Sequence, residues 1–368
     1  MKRALAALAV LLLLCFPARA EEDVNAVVEA LDLSGFEEAA EGSGVDVRAM
    51  ILSLAAGERE WDLGDLLSRL SDAFLAEFRR ASALVAALLA PALLSAIARQ
   101  MAGEGKGTRA VSQLCCLVCA AQLALWFLRL TAEAEALIAD VARLADGVFP
   151  VLASLLSLSG ATASAAMVTP LSALAGNAFS RILAEVGLKL CTIAAALAAA
   201  GQLGSRLRLE RLFALVRSVV NWTAGVLMTG FLGLSAVRAL LSTGYDSAAV
   251  RTARYAVDNL LPVVGGEVAN TMDALVSSVL LVKNAAGATG LFALLLMCAR
   301  PLLALVAALF ALRLISALLE PVAEEGMIAL ADKFSQVAGM LLVLCISAAV
   351  ILTLLLGGTL MAGQSVVR

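Results

Sequence analysis

The chain has 368 residues, 62% of them apolar and 15% charged, and contains no histidine. The missing imidazole removes the Ser–His and Cys–His nucleophile arrangements and the commonest metal ligand, and no lysine or paired-carboxylate constellation stands in, so the chain is not expected to be an enzyme. The net charge of −3 hides an asymmetry: residues 21–80 carry 15 acids against five arginines, a net −10, the remainder is +7, and no basic stripe with interleaved aromatics points to nucleic acid.

Residues 1–20 read as a secretory signal peptide: Lys2 and Arg3, an apolar run over 4–16, then Ala18-Arg19-Ala20. The small-x-small ending predicts cleavage after Ala20; an uncleaved anchor is the alternative. Either way Glu21 begins outside the cytoplasm. Residues 21–80 form an acidic, amphipathic extracytoplasmic segment. Val27, Leu31, Leu33 and Phe36 open it, and Gly42-Ser43-Gly44 breaks it. Leu63, Leu66, Leu67, Leu70, Phe74 and Phe78 then recur at helical spacing, a helix that lies on the membrane surface or packs on a partner.

Residues 81–368 are polytopic membrane. Uncharged apolar runs at 81–98 and 110–128 are each long enough to cross. Arg99, Lys106 and Arg109 between them mark an inside loop. Residues 129–146, with four acids and two arginines, read as an outside loop. Residues 147–181 are rich in Ser, Thr, Gly and Ala around Gly160. That suits a tight helix contact or a broken, re-entrant helix. A span over 182–204 carries Glu185 and Lys189 four apart, an intramembrane pair if helical. Arg206, Arg208, Arg211 and Arg217 make the most basic loop. A crossing over 212–241 and a polar connection over 242–258 follow. The apolar run 287–319 is interrupted at Arg300-Pro301, which should kink or end it. Residues 337–361 close the chain with a last span. Six to eight crossings result. The thiols Cys115, Cys116, Cys119, Cys191, Cys298 and Cys345 all lie in apolar runs, where cysteine acts as a small hydrophobe. No metal or cofactor is expected.

The polar segment from Arg251 to Asn284 is the exception inside this apolar sequence. Asp258, Asn259, Glu267, Asn270, Asp273, Ser277, Lys283 and Asn284 sit at or near bilayer depth, where polar groups must face protein or water. At 100° per residue most of those from Glu267 onward share one helical face, about 160° wide. Pro262, Gly265 and Gly266 would break the backbone ahead of it. This face is a conduit lining or a subunit interface, or else an amphipathic helix lying flat at the interface.

The order Asn221-Trp222, Phe231-Leu232-Gly233, Arg251-Thr252-Ala253, Asn259, Pro262-Val263-Val264-Gly265, Asp273, Lys283-Asn284 and Gly287 resembles the stage III sporulation protein AE family of endospore formers. Ser159-Gly160, the alanines up to Ala166, and Pro170 fit it too, and the resemblance covers roughly 70–362. The resemblance implies a multi-pass subunit of a channel or secretion-like complex in the mother-cell membrane around the forespore. It implies as partners the other proteins of the same sporulation operon, an ATPase and ring-forming membrane proteins, and through them a forespore membrane protein. It implies no catalytic residues. The competing readings are an ion-coupled secondary transporter with a broken-helix substrate site, which predicts internal inverted repeats, and an intramembrane enzyme, for which no nucleophile–base pair exists.

Overall fold

The structure, a computed structural model, describes residues 21–57, 63–102, 106–203, 209–260, 265–320 and 325–362. The signal-peptide reading of 1–20 falls outside them. Every regular element among the described residues is helical. Three short helices come first: α1 (Glu21–Glu29), α2 (Ser34–Ala40) and α3 (Val47–Ala55). Long ones follow: α4 (Leu63–Ala102), α5 (Lys106–Leu158), α6 (Thr162–Ala173), α7 (Lys189–Leu203), α8 (Glu210–Leu260), α9 (Gly265–Leu319) and α10 (Glu325–Met361). Two π-helical turns, Leu174–Phe179 and Ile182–Leu188, join α6 to α7 into one helical run. Among the described residues, six helical runs are long and apolar enough to cross a membrane; these carry the lower end of the six-to-eight expectation.

Local chemistry sets the short elements. Asp46 caps α3 by accepting from the Ala49 amide at 3.0 Å. Asp32 accepts from the Ser34 hydroxyl at 2.6 Å and its amide at 3.1 Å, and these bonds hold the carboxyl below its usual range. Gly44 ends the turn between α2 and α3 with φ 69°, a conformation glycine adopts without strain.

These N-terminal helices do not stand apart. Val28, Phe36, Ala40, Val47 and Ile51 are buried in the same core as the long helices, α2 against α5 and both α1 and α3 against α9. The approach is closest at Gly147: a Cβ there would lie 2.4 Å from the Gly35 carbonyl oxygen. The requirement falls on Gly147 alone, since a Cβ at Gly35 would meet nothing within 4 Å.

Several expected connections are helix. Residues 129–146, read as an outside loop, lie inside α5, which runs 53 residues, about 80 Å. The stretch is polar but contains no Gly or Pro, and Ala, Leu, Glu and Arg are strong helix formers. The amphipathic segment 63–80 is continuous with the first span in α4, and the polar connection 242–258 lies inside α8. Residues 147–204 give one break, at Gly160, followed by a single helical run, with no separate re-entrant hairpin among the described residues. Between α4 and α5, Ala92 and Ser95 face Ser112, Cys115 and Cys119 as a buried small-residue seam, and the Cys119 thiol points at the Leu88 carbonyl.

Candidate functional site

Asp258 and Asn259 fall in the last turn of α8, and Gly265 and Gly266 are the first residues of α9, with Glu267, Asn270 and Asp273 in the turns that follow. Pro262 lies outside the described residues. Further along α9 the environment changes. Ser277 is exposed, Ser278 is 1% exposed, and Lys283 is completely enclosed. The end of the polar stretch therefore points into protein.

Lys283 shows why. Its Nζ donates to the carbonyl oxygen of Leu360 at 3.1 Å and to that of Ala362. Those carbonyls belong to the C-terminal end of α10, where the last turn of a helix leaves its acceptors without intrahelical donors and the dipole favours a cation. A buried ammonium is tolerable only with such partners. One turn further on, Gly287 lets α9 come close enough: a Cβ there would stand 2.5 Å from Leu360 Cδ2. Lys283 is thus a staple between α9 and α10, joining residues 77 apart in sequence. The neighbouring Asn284 is half-buried, and its Oδ1 is shielded from solvent without a hydrogen-bond partner among the described residues.

Glu185 and Lys189 are both exposed and form no ion pair with each other. Glu185 lies in the π-helical turn Ile182–Leu188, whose wider i→i+5 repeat shifts the four-residue register that an α-helix would give. Gly160 breaks the helical path with φ 83°: its amide donates to the Ser157 carbonyl and that of Ala161 to the Leu156 carbonyl, a paired closure of the last turn of α5. Pro301 does not break its helix; α9 continues through it to Leu319.

Sequence reasoning missed a charged cluster. Glu77 Oε1 accepts from Arg80 at 2.7 Å and from Arg300 Nε at 3.4 Å. The first contact is legible as an i,i+3 pair; the second joins residues 223 apart and has no local signal. The π-helical turns also border a small void of about 10 Å³, lined by Val141, Ala145, Phe179, Ser180, Leu183 and Ile351 among others. It has room for about one water.

Long apolar helices sharing one buried core, with the polar stretch tied into it by Lys283, define a multi-span helical membrane protein. The family model described as Stage III sporulation protein AE matches residues 45–363. The chain belongs to that family. The Stage III sporulation protein AE of Bacillus subtilis (strain 168) is 27% identical over 187 residues, which cover 51% of this chain and 47% of that protein. The matched stretch thus spans about half the length of this curated relative. No solved structure matches.

Proposed function

We propose that this protein is an integral membrane subunit of the sporulation complex that links mother cell and forespore, a channel or secretion-like assembly needed for forespore development. It sits in the mother-cell membrane around the forespore, with the mature N-terminus extracytoplasmic after removal of residues 1–20. Its partners are the other proteins of the same operon, an ATPase and ring-forming membrane proteins. Its role is architectural and conductive rather than catalytic.

The observation that carries this reading is the family match across 45–363, which takes in every candidate span. Affinity purification of the tagged protein from sporulating cells, with mass spectrometry of what accompanies it, tests the proposal. Recovery of the operon's ATPase and ring proteins is expected; a monodisperse oligomer of this chain alone would favour a transporter. The polar start of α9 has its own test: Glu267→Ala with Asp273→Ala should impair spore formation while insertion is retained, and wild-type sporulation would remove that segment from the account.

A further inference from the structure

Basic side chains from five helices lie at one level of the bundle, and contacts between the helices fix that level. Phe78 of α4 meets Phe310 of α9 edge-on, with centroids 6.3 Å apart. The Ser316 hydroxyl of α9 donates to the Asp332 carboxylate of α10 at 2.6 Å. Phe334 of α10 meets Phe127 of α5 at 6.0 Å, and Arg217 of α8 donates to the Gln336 side chain of α10 at 2.6 Å. Counted from these contacts at ~1.5 Å per residue, Arg79, Arg80, Arg129, Arg217, Arg313 and Lys333 fall within about 6 Å of one another along the bundle. Among the described residues the one acid in the same turn of helix is Asp332, already engaged by Ser316. Arg80 is bridged to Glu77 and Arg217 to Gln336, while Arg79, Arg129 and Arg313 are exposed and form no ion pair among the described residues.

This plane coincides with the end of the lipid-suited surface of α4 and α5. Arg80 and Arg99 are separated by 18 uncharged residues, Arg109 and Arg129 by 19, so the plane stands one hydrocarbon thickness from the cations Arg99 and Arg109. Large apolar side chains are exposed beside it: Leu125 and Leu128 on α5, Phe310 and Leu314 on α9. Trp126 lies at the same level, and aromatic and basic residues together mark a headgroup layer. We propose that this plane binds the phosphate groups of anionic phospholipids, with Arg79, Arg129 and Arg313 as the contacts. A guanidinium grips phosphate in bidentate fashion, and a cluster of roughly four or more Lys and Arg at a membrane surface attracts anionic lipid. An acidic protein segment would meet the same cations, but the exposed apolar side chains beside them fit acyl chains.

The test uses purified full-length protein in nanodiscs of equal parts phosphatidylglycerol and phosphatidylcholine, with the lipids it retains after transfer to detergent counted by native mass spectrometry. The wild type should retain phosphatidylglycerol at least about fivefold over phosphatidylcholine, and the excess should fall as salt is raised. Changing Arg79, Arg129 and Arg313 together to Gln should bring the excess below about twofold, and changing all three to Lys should keep most of it. Arg48→Gln with Arg143→Gln, at exposed arginines outside the plane, should leave it unchanged. No preference in the wild type would overturn the proposal whether or not the triple variant inserts. A preference that survives the triple Gln variant, or that the Arg48 and Arg143 changes remove equally, would overturn it too. Displacement of phosphatidylglycerol by inorganic phosphate would assign the plane to a free ion, and displacement by polyglutamate to an acidic protein segment; either result contradicts a lipid site. No other sporulation protein is present, so failure here leaves the complex-subunit reading standing.

Discussion

The two halves of α5 share a continuous backbone and expose different surfaces. Between Arg109 and Arg129, 19 uncharged residues present Leu114, Leu117, Val118, Leu125 and Leu128 outward, which suits one thickness of lipid. Beyond Arg129 the exposed positions are Glu133, Glu135, Arg143 and Asp146 with mostly small or polar neighbours until Leu158 at the end of the helix, and Gly147 carries α2. The apolar residues of this second half, among them Val148, Phe149, Leu152 and Leu155, are buried by other helices of the same chain. Apolar sequence thus serves two solvents here. The exposed side of the first half is apolar and suits lipid. The exposed side of the second is mostly polar and suits water, and its apolar side faces protein along about 45 Å of further helix. α4 repeats the pattern in part around Arg79 and Arg80, with Ser71, Asp72 and one large apolar residue, Leu75, exposed above them and Leu93, Leu94 and Ile97 below.

The sharpest way to break this comparison is a charge on each half. Leu117→Arg places an unpaired cation on the lipid face and should cost about 2.5–3.5 kcal/mol of insertion, seen as loss of membrane-integrated protein. Ala136→Arg, on an exposed position of the second half, should leave insertion unchanged. Next in size is Gly147→Val. Its side chain would enter the Gly35 carbonyl, which is backbone and cannot turn aside. A loss of about 1–3 kcal/mol is expected, with earlier proteolysis within residues 21–57. Lys283→Met removes the donor held by the end of α10 and should cost about 1–3 kcal/mol, with faster amide exchange confined to the last turn of α10. The smallest effect belongs to Glu77→Gln, which loosens a partly exposed contact with Arg300. It should change thermal stability by less than about 1 kcal/mol, since exposed ion pairs contribute little.

The spans at 81–98 and 110–128 were legible because charges bracket them at bilayer spacing. Gly160 was legible as a break because a Ser-Gly pair interrupts an otherwise helical composition. The continuity of α5 was not, because the polarity of 129–146 resembles that of a loop, although nothing there stops a helix. For Lys283 the sequence shows only that a lysine lies in an apolar run, which suits a conduit lining or a subunit interface alike. Its partners are carbonyls near the far end of the chain, and they have no side-chain signature. The Glu185–Lys189 spacing implies a pair only on an α-helical repeat, and the π-helical turn changes that repeat in a way residue types do not announce.

The most direct measurement is a cysteine scan along α5 in sealed vesicles, with a membrane-impermeant maleimide applied to the extracytoplasmic side. Single cysteines at Leu117, Leu125, Ala136, Arg143 and Ser154 sample both halves. The account predicts no labelling at Leu117 and Leu125, and labelling at Ala136, Arg143 and Ser154. Protection at Ser154, with labelling only around Ala136 and Arg143, would place the end of α5 back in lipid and contradict the division of the helix between two solvents.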